Sequence, residues 1–436
     1  MSQQHMEPTQ MPTEKEMERN RLLGIIEGAS ARTIFNLTSG AFLVGLLKYM
    51  GASDTVCGYI LAVPVLAAVI QFLSPIVLER LKFRLSIITL CASAHRALLT
   101  SLIIIPFLPI PKNGKLIITF IVFLLSYAAV SFANPAVSNM YVSFVPQNMR
   151  GRYFGKRESY LLFSATVVSL VLGKVLDVYE AKDSEITGYL IVYGVIFVFT
   201  IINHFSLRAM KEVPLIHTVE PIRIREIFTL PFKDKTFIVY FIMSIIWNIS
   251  IQVASAFFAV YFKSDLNMNY TTITTLGMVN SLTYVVTASF WGRFADRHSW
   301  ARTSMLTIGI LAFTHFLWFL CFKGSPMLLV LLSIAHVFGG IAWSGINVSL
   351  FNLQFDFTPN EKRTVYIGLN AATSGIIGYL AAILGSQLVS FFGHAPIVLF
   401  GAGFDIKQVL FLVSSTLLFV CAAYIGLFMN RRKKNV

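Results

Sequence analysis

The sequence predicts an all-α integral membrane protein with twelve transmembrane helices in two repeat-related six-helix bundles, and three observations carry that prediction. The 436-residue chain is 56% hydrophobic and only 13% charged, with a mean hydropathy of +0.70. A water-exposed surface of ordinary polarity does not allow such a composition. Apolar stretches of about 20 residues, the length that crosses a bilayer, recur between short charged punctuations. Ala129, Ser131, Asn134, Asn139, Phe144, Pro146, Arg150, Tyr153 and Gly155 recur 213 positions later as Ala342, Ser344, Asn347, Asn352, Phe357, Pro359, Arg363, Tyr366 and Gly368. Chance would give about two such identities in a window of that size. The chain is therefore two copies of one unit.

In chain order the first copy places spans 1 to 6 at 22–50, 55–78, 85–107, 115–144, 154–178 and 187–208. The second places spans 7 to 12 at 236–262, 270–292, 302–322, 326–357, 365–392 and 406–429. A transmembrane barrel is excluded, because runs such as Leu161 to Leu172 do not alternate. The domains follow: an N-terminal tail over 1–21, a six-helix bundle over 22–208, a linker over 209–235, a second bundle over 236–430 and a basic tail over 431–436. The linker carries Pro214, Pro221 and Pro231, and its Ile222 to Phe228 stretch alternates charge and apolarity as a short membrane-surface helix does.

Lys and Arg set the orientation. Arg84, Arg150, Arg152, Arg208, Arg223, Arg293, Arg302, Lys362 and Arg431 to Lys434 all fall on one side, whereas the other side has few cations and the acidic loop Asp177, Glu180, Asp183 and Glu185. The basic side is expected in the cytoplasm, with both termini there and the protein in the cell membrane. The same sorting accounts for the net charge of +14 without a nucleic-acid partner, since the cations are spread over many loops and form no single basic stripe. Cys57, Cys91, Cys321 and Cys421 lie inside spans with no C-x-x-C spacing, as packing residues do.

Polar residues in lipid must face protein or water. On span 1, Arg32, Asn36 and Ser39 share a face by their spacing of four and three, and Asn248, Gln252 and Ser255 repeat that spacing on span 7. Span 4 presents Ser131, Asn134 and Ser138, and span 10 presents His336, Trp343 and Asn347. Ser and Asn also serve as glue between helices, worth about 0.6 kcal/mol per contact. Arg32 and Arg96 both fall near mid-membrane, and each needs a partner. Arg32 shares the Asn36 face, whereas Arg96, beside His95, fits an inward structural anchor. Glu27 lies about half a turn from Asn36 and is placed to pair with Lys156 or Arg157. Lys174 and Asp177, three apart, suggest a local ion pair. The polar faces then hold one cation and no acid, which favours a neutral or anionic solute.

Span 8 is followed by Gly292-Arg293-Phe294-Ala295-Asp296-Arg297, and the matching first-half stretch, Pro75 to Arg84, carries Glu79 and Arg80 without the glycine. With twelve spans in two copies, this chain resembles the major facilitator superfamily, whose hallmark is a G-x-x-x-D-R-like cytoplasmic loop after the second helix of each half. The resemblance covers nearly the whole chain. It implies that spans 1, 4, 7 and 10 line a central cavity, so that the four polar faces above become substrate-binding candidates. It also implies that Glu79, Arg80, Arg150, Gly292, Arg293, Asp296, Arg297 and Arg363 act in conformational gating. The glycine-proline signature of the family's drug antiporters is absent from Val171 to Asp177.

These readings converge on a secondary transporter of a small polar, neutral or anionic, organic solute working by alternating access. The expectation is a monomer in the lipid bilayer, not an enzyme, with no metal and no cofactor. Direct use of ATP is excluded by the absence of a G-x-x-x-x-G-K-[ST] loop. Coupling to a proton or another ion is left open, with His336 a proton carrier on the cavity face. Two rivals stand beside this reading: an exporter of amphipathic drugs, suggested by the 14% aromatic content, and a transport-inactive sensor with the same fold. Substrate, coupling ion and direction are not legible.

Overall fold

The computed structural model describes residues 12–78, 81, 83–214, 229–359, 363–393, 395–399 and 401–430. Span 1 begins earlier than expected. Thr13 and Glu16 form a reciprocal cap, each accepting a hydrogen bond from the other's backbone N–H, so helix α1 (Glu14–Leu37) takes in the last eight residues assigned to the tail. It also ends earlier. After Thr38, Ser39 is extended and Gly40 adopts φ +52, a left-handed conformation that only glycine enters freely. The expected single helix over 22–50 is thus two, α1 and α2 (Gly40–Tyr49).

Span 2 is segmented into α3 (Asp54–Leu61), α4 (Val63–Ala67), a 3₁₀ turn at Ala68–Phe72 and α5 (Leu73–Leu78). Pro64 sits in the first turn of α4, where its missing N–H costs nothing. Span 3 is α6 (Leu85–Ser101) continued by a 3₁₀ segment Leu102–Phe107, and spans 4, 5 and 6 are α7 (Lys112–Phe144), α8 (Arg150–Glu180) and α9 (Glu185–Arg208). In the second half, spans 7 to 12 are α10 (Lys235–Val260), α11 (Tyr270–Arg297), α12 (Trp300–Phe319), α13 (Leu328–Asp356), α14 (Arg363–Phe392) and α15 (Ile406–Tyr424). An unexpected hairpin of β1 (Ile397–Leu399) and β2 (Ala402–Phe404) joins the last two, with Val398 opposite Gly403. The Ile222 to Phe228 stretch and the basic tail lie outside the described residues.

Among the described residues, ten helices are long and apolar enough to cross a membrane. The other two expected spans are the broken span 1 and α12, which is loaded with Arg302, Thr303, Ser304, Thr307, Thr314 and His315. The repeat seen in sequence reappears in the packing: α1 lies against α8 and α9 as α10 lies against α14 and α15, and α6 meets α7 as α12 meets α13. The halves meet along two matching seams, α8 on α11 and span 2 on α14, with α2 and α3 against α10 between them. Helix starts and ends alternate, so one face gathers Arg150, Arg208, Arg297 and the start of α1. This basic face lies across the bundle from the loops at 50–54, 181–184, 265–270 and 393–405.

Candidate functional site

Arg32 does not wait for a ligand. Its Nη2 lies 3.2 Å from Oε1 of Glu158 on α8, with the two side chains 40% and 38% exposed. The expectation of a cation with no acid is therefore corrected: Glu158, inside span 5, is the missing carboxylate. The pair is far more exposed than the other ion pair of this bundle. There Glu27 is 2.9 Å from Arg96 and 3.6 Å from Arg157, and all three side chains are largely buried. Tyr141 also donates to the Glu27 carboxylate, and Asn203 donates to its backbone carbonyl at 2.9 Å. Asn203 reaches the carboxylate as well, at 3.2 Å, so four spans converge on a carboxylate carried by a fifth and Glu27 anchors the first bundle. His95 bonds Ser126 Oγ at 2.7 Å and packs edge-on to Tyr127, a structural role.

The helix break sets the next feature. Asn36, Ser39 and Gly40 line a cavity of about 260 Å³ together with Thr166 and Ser169 of α8 and Thr274 and Ser281 of α11, under Phe42 and Tyr270. A continuous helix would have filled this space with the side chains of its next turn. The second cavity, of about 280 Å³, lies within the C-terminal bundle among α10, α11, α12 and α13. Ser255, His336 and Trp343 line it, joined by Asn280, Thr314, His315, Phe258 and Trp318. Asn280 was not singled out in the sequence, where its only signal was an amide in the middle of an apolar span. It donates to the His336 carbonyl at 3.1 Å. His336 donates from Nδ1 to the Leu332 carbonyl at 2.7 Å, leaving Nε2 as its remaining polar atom.

The other candidates are placed differently. Gln252 accepts from Ser255 at 2.8 Å. Asn248 is turned onto its own helix, donating to the Ser244 carbonyl at 2.7 Å. Asn347 donates to the Tyr284 hydroxyl at 3.3 Å and is exposed. On α7, Asn134 and Ser138 are exposed, Ser131 is buried, and Ser138 bonds back to Asn134. The structure thus divides the expected continuous site into two cavities, one at the break in span 1 and one inside the second bundle. None of the α7 candidates lines either.

The halves are bonded to each other at the face opposite the basic one. Lys407, 1% exposed, lies 2.9 Å from Asp54 of the other half and 2.8 Å from Asp265 of its own, and Lys48 pairs with the same Asp54. Lys263 reaches Glu180 at 3.1 Å, and the Tyr189 and Tyr270 hydroxyls meet at 2.7 Å. Asp177, expected to pair with Lys174, instead accepts from the Tyr270 and Thr271 backbone N–H groups at 2.6 and 2.9 Å. It caps α11 across the interface, where a carboxylate also meets the positive end of the helix dipole. These contacts were missed in sequence because each joins residues far apart in the chain.

The basic-face gating candidates make local bonds. Arg150 donates to the Val145 carbonyl at 3.2 Å and Arg293 to the Ser289 carbonyl at 3.3 Å, while Asp296 and Arg297 are exposed and Gly292 has open space around its Cα. Glu79, Arg80 and the Arg363 side chain lie outside the described residues.

Residues 236–436 match the family model described as Major Facilitator Superfamily. No curated protein sequence matches the chain. Solved structures resemble it over nearly its full length at low identity. A variant of the nucleoside transporter NupG is 15% identical with a TM-score of 0.70, covering 95% of this chain and 100% of that one. A D-xylose–proton symporter is 13% identical with a TM-score of 0.64, covering 94% and 97%. A POT family transporter in complex with 5-aminolevulinic acid is likewise 13% identical with a TM-score of 0.64, covering 96% and 98%.

Proposed function

We propose that this chain, whose second half matches the Major Facilitator Superfamily model and whose fold is that of the similar transporter structures, is a transporter of that superfamily that moves a small, uncharged, polar organic solute across the cell membrane by alternating access. The observation that carries this reading is the one-sided bonding of the halves. Ion pairs and caps join them at one face, while the polar cavities lie deeper in the bundle. With the basic face and both termini in the cytoplasm, this is a state shut toward the outside. The anionic alternative loses its support because Arg32 already faces Glu158. Small-solute transport also agrees with the similar structures, a nucleoside transporter, a D-xylose–proton symporter and a POT family transporter in complex with 5-aminolevulinic acid. The cycle is that of a monomer. The described residues hold no group of His, Cys, Asp and Glu suited to a metal, and the reading calls for no cofactor.

One observation favours the drug-export reading. A largely apolar groove of about 660 Å³ runs along the seam of α8 and α11, lined by Phe163, Val167, Leu170, Leu282, Val285 and Val286 with Lys156 and Ser159 at one end. Counterflow in proteoliposomes separates the readings: exchange of a labelled hydrophilic solute supports ours, exchange of amphipathic cations alone supports export, and no exchange of any solute supports a sensor.

A further inference from the structure

We propose that the cavity inside the C-terminal bundle is the solute site, and that its ligand is an uncharged ring bearing hydroxyl groups. The proposal rests on the transporter reading and narrows its substrate class.

Three features of the cavity point to that ligand. Its walls are aromatic: Trp318 and Phe258 meet at 4.9 Å and 74°, and Trp343 stands edge-on to Trp247 at 6.0 Å, which leaves indole and phenyl surfaces for the flat side of a ring. Its polar atoms are neutral ones that suit hydroxyls, namely the Asn280 amide, Ser255 Oγ and His336 Nε2. No Asp, Glu, Lys or Arg lines it. A charged solute there would lose its hydration with no counter-charge in return, so the cavity selects against ions. Its volume of about 280 Å³ is at the small end of ligand pockets, near ~300 Å³, which suits a solute of monosaccharide or nucleoside size and not a larger drug.

Glycines hold this geometry in place. A Cβ at Gly339 would stand 2.8 Å from Asn280 Nδ2, and one at Gly340 would stand 2.4 Å from the Asn280 carbonyl oxygen. Gly339 itself lines the cavity. The bare backbone of α13 therefore lets α11 come close enough to set the Asn280 amide into the wall. In the first bundle, by contrast, Glu27, Arg96 and Arg157 are buried together.

Hydroxylated rings come from two sources, monosaccharides and nucleosides, and the test has an arm for each. Purified full-length protein in nanodiscs is titrated with D-glucose, D-xylose, uridine and adenosine, with L-glutamate and choline as charged probes. Intrinsic tryptophan fluorescence and thermal shift are the readouts. The expected result is a saturable response to members of one uncharged class and none to the charged probes. Trp343→Phe should reduce the fluorescence change, and Asn280→Ala should weaken affinity by about tenfold. Asn280→Gln and Gly339→Ala serve as milder variants should Asn280→Ala fail to fold, and each is expected to weaken binding as well. The proposal is overturned if no uncharged ring binds, if a charged probe binds instead, or if binding survives every folded variant unchanged. Counterflow keeps the two readings apart. Exchange of an ion or amphipath with no ring binding sinks this proposal and leaves the transporter, whereas saturable ring binding without exchange sinks the transporter and leaves the site.

Discussion

Two ion pairs of the first bundle show how burial decides what a charge is for. Glu27 is held by Arg96 and Arg157 in a dry interior, so Glu27→Ala leaves two buried cations without a partner. Breaking such a network typically costs ~3–5 kcal/mol. The variant should lose most of its thermal stability in detergent, and an unchanged melting temperature would contradict the anchoring role. Arg32 and Glu158 are both more than a third exposed. If that exposure is to water in the cavity, the pair contributes about 0–1 kcal/mol, and Arg32→Ala should melt close to wild type. If the pair works in the cycle, transport falls while stability holds; parallel losses in both would make it a structural pair. The sequence made both arginines visible as charges in lipid, but it concealed their partners. Glu27 and Arg96 are 69 positions apart and Arg32 and Glu158 are 126 apart. Only the folded helix order brings them together.

At the level of single elements, the break in span 1 is the feature that departs most from the sequence reading. Thr38, Ser39 and Gly40 form a turn signal, yet they sit inside an apolar run long enough to span, so hydropathy outweighed them. The positive φ of Gly40 explains why the chain stops there, and the cavity under Asn36 follows from it. A Cβ at Gly40 would touch nothing within 4 Å, so the cost of Gly40→Ala is backbone strain alone, ~1–2 kcal/mol. Thermal unfolding should read a modest loss of that order, and an increase in stability would argue against the left-handed turn. Gly45 poses the opposite case. A Cβ there would stand 1.8 Å from the Tyr270 hydroxyl and 2.1 Å from that of Tyr189, so Gly45→Ala should wedge α2 away from α11. The helical spans and the repeat were legible because period and composition carry them. The segmentation of span 2, the hairpin before α15 and the place of Asn280 were not, since they depend on packing between distant elements.

For the whole molecule, the interface at the face opposite the basic one should set the balance between access states. Asp54→Asn removes the inter-half pair with Lys407 while Lys407 keeps Asp265 and Asp405. A cysteine at Asn36, in a background without Cys57, Cys91, Cys321 and Cys421, should then label faster from outside than in the parent, because weakening one state's contacts raises the population of the other. Unaltered labelling would mean that the cluster does not govern opening. Orientation has its own check: an impermeant thiol reagent should reach a cysteine at Lys434 only from the cytoplasmic side. The way these charges are shared has a further consequence. Lys48 and Asp54 belong to one half, Lys407, Asp265 and Asp405 to the other, and Lys263 keeps the face of Tyr270 at 3.9 Å within its own bundle. When the halves part, each lysine keeps a partner in its own bundle, and the one carboxylate left behind, Glu180, is 41% exposed, so little desolvation penalty stands in the way. The cluster is a clasp, not a weld: it can be fastened and released once per turnover without either bundle unravelling.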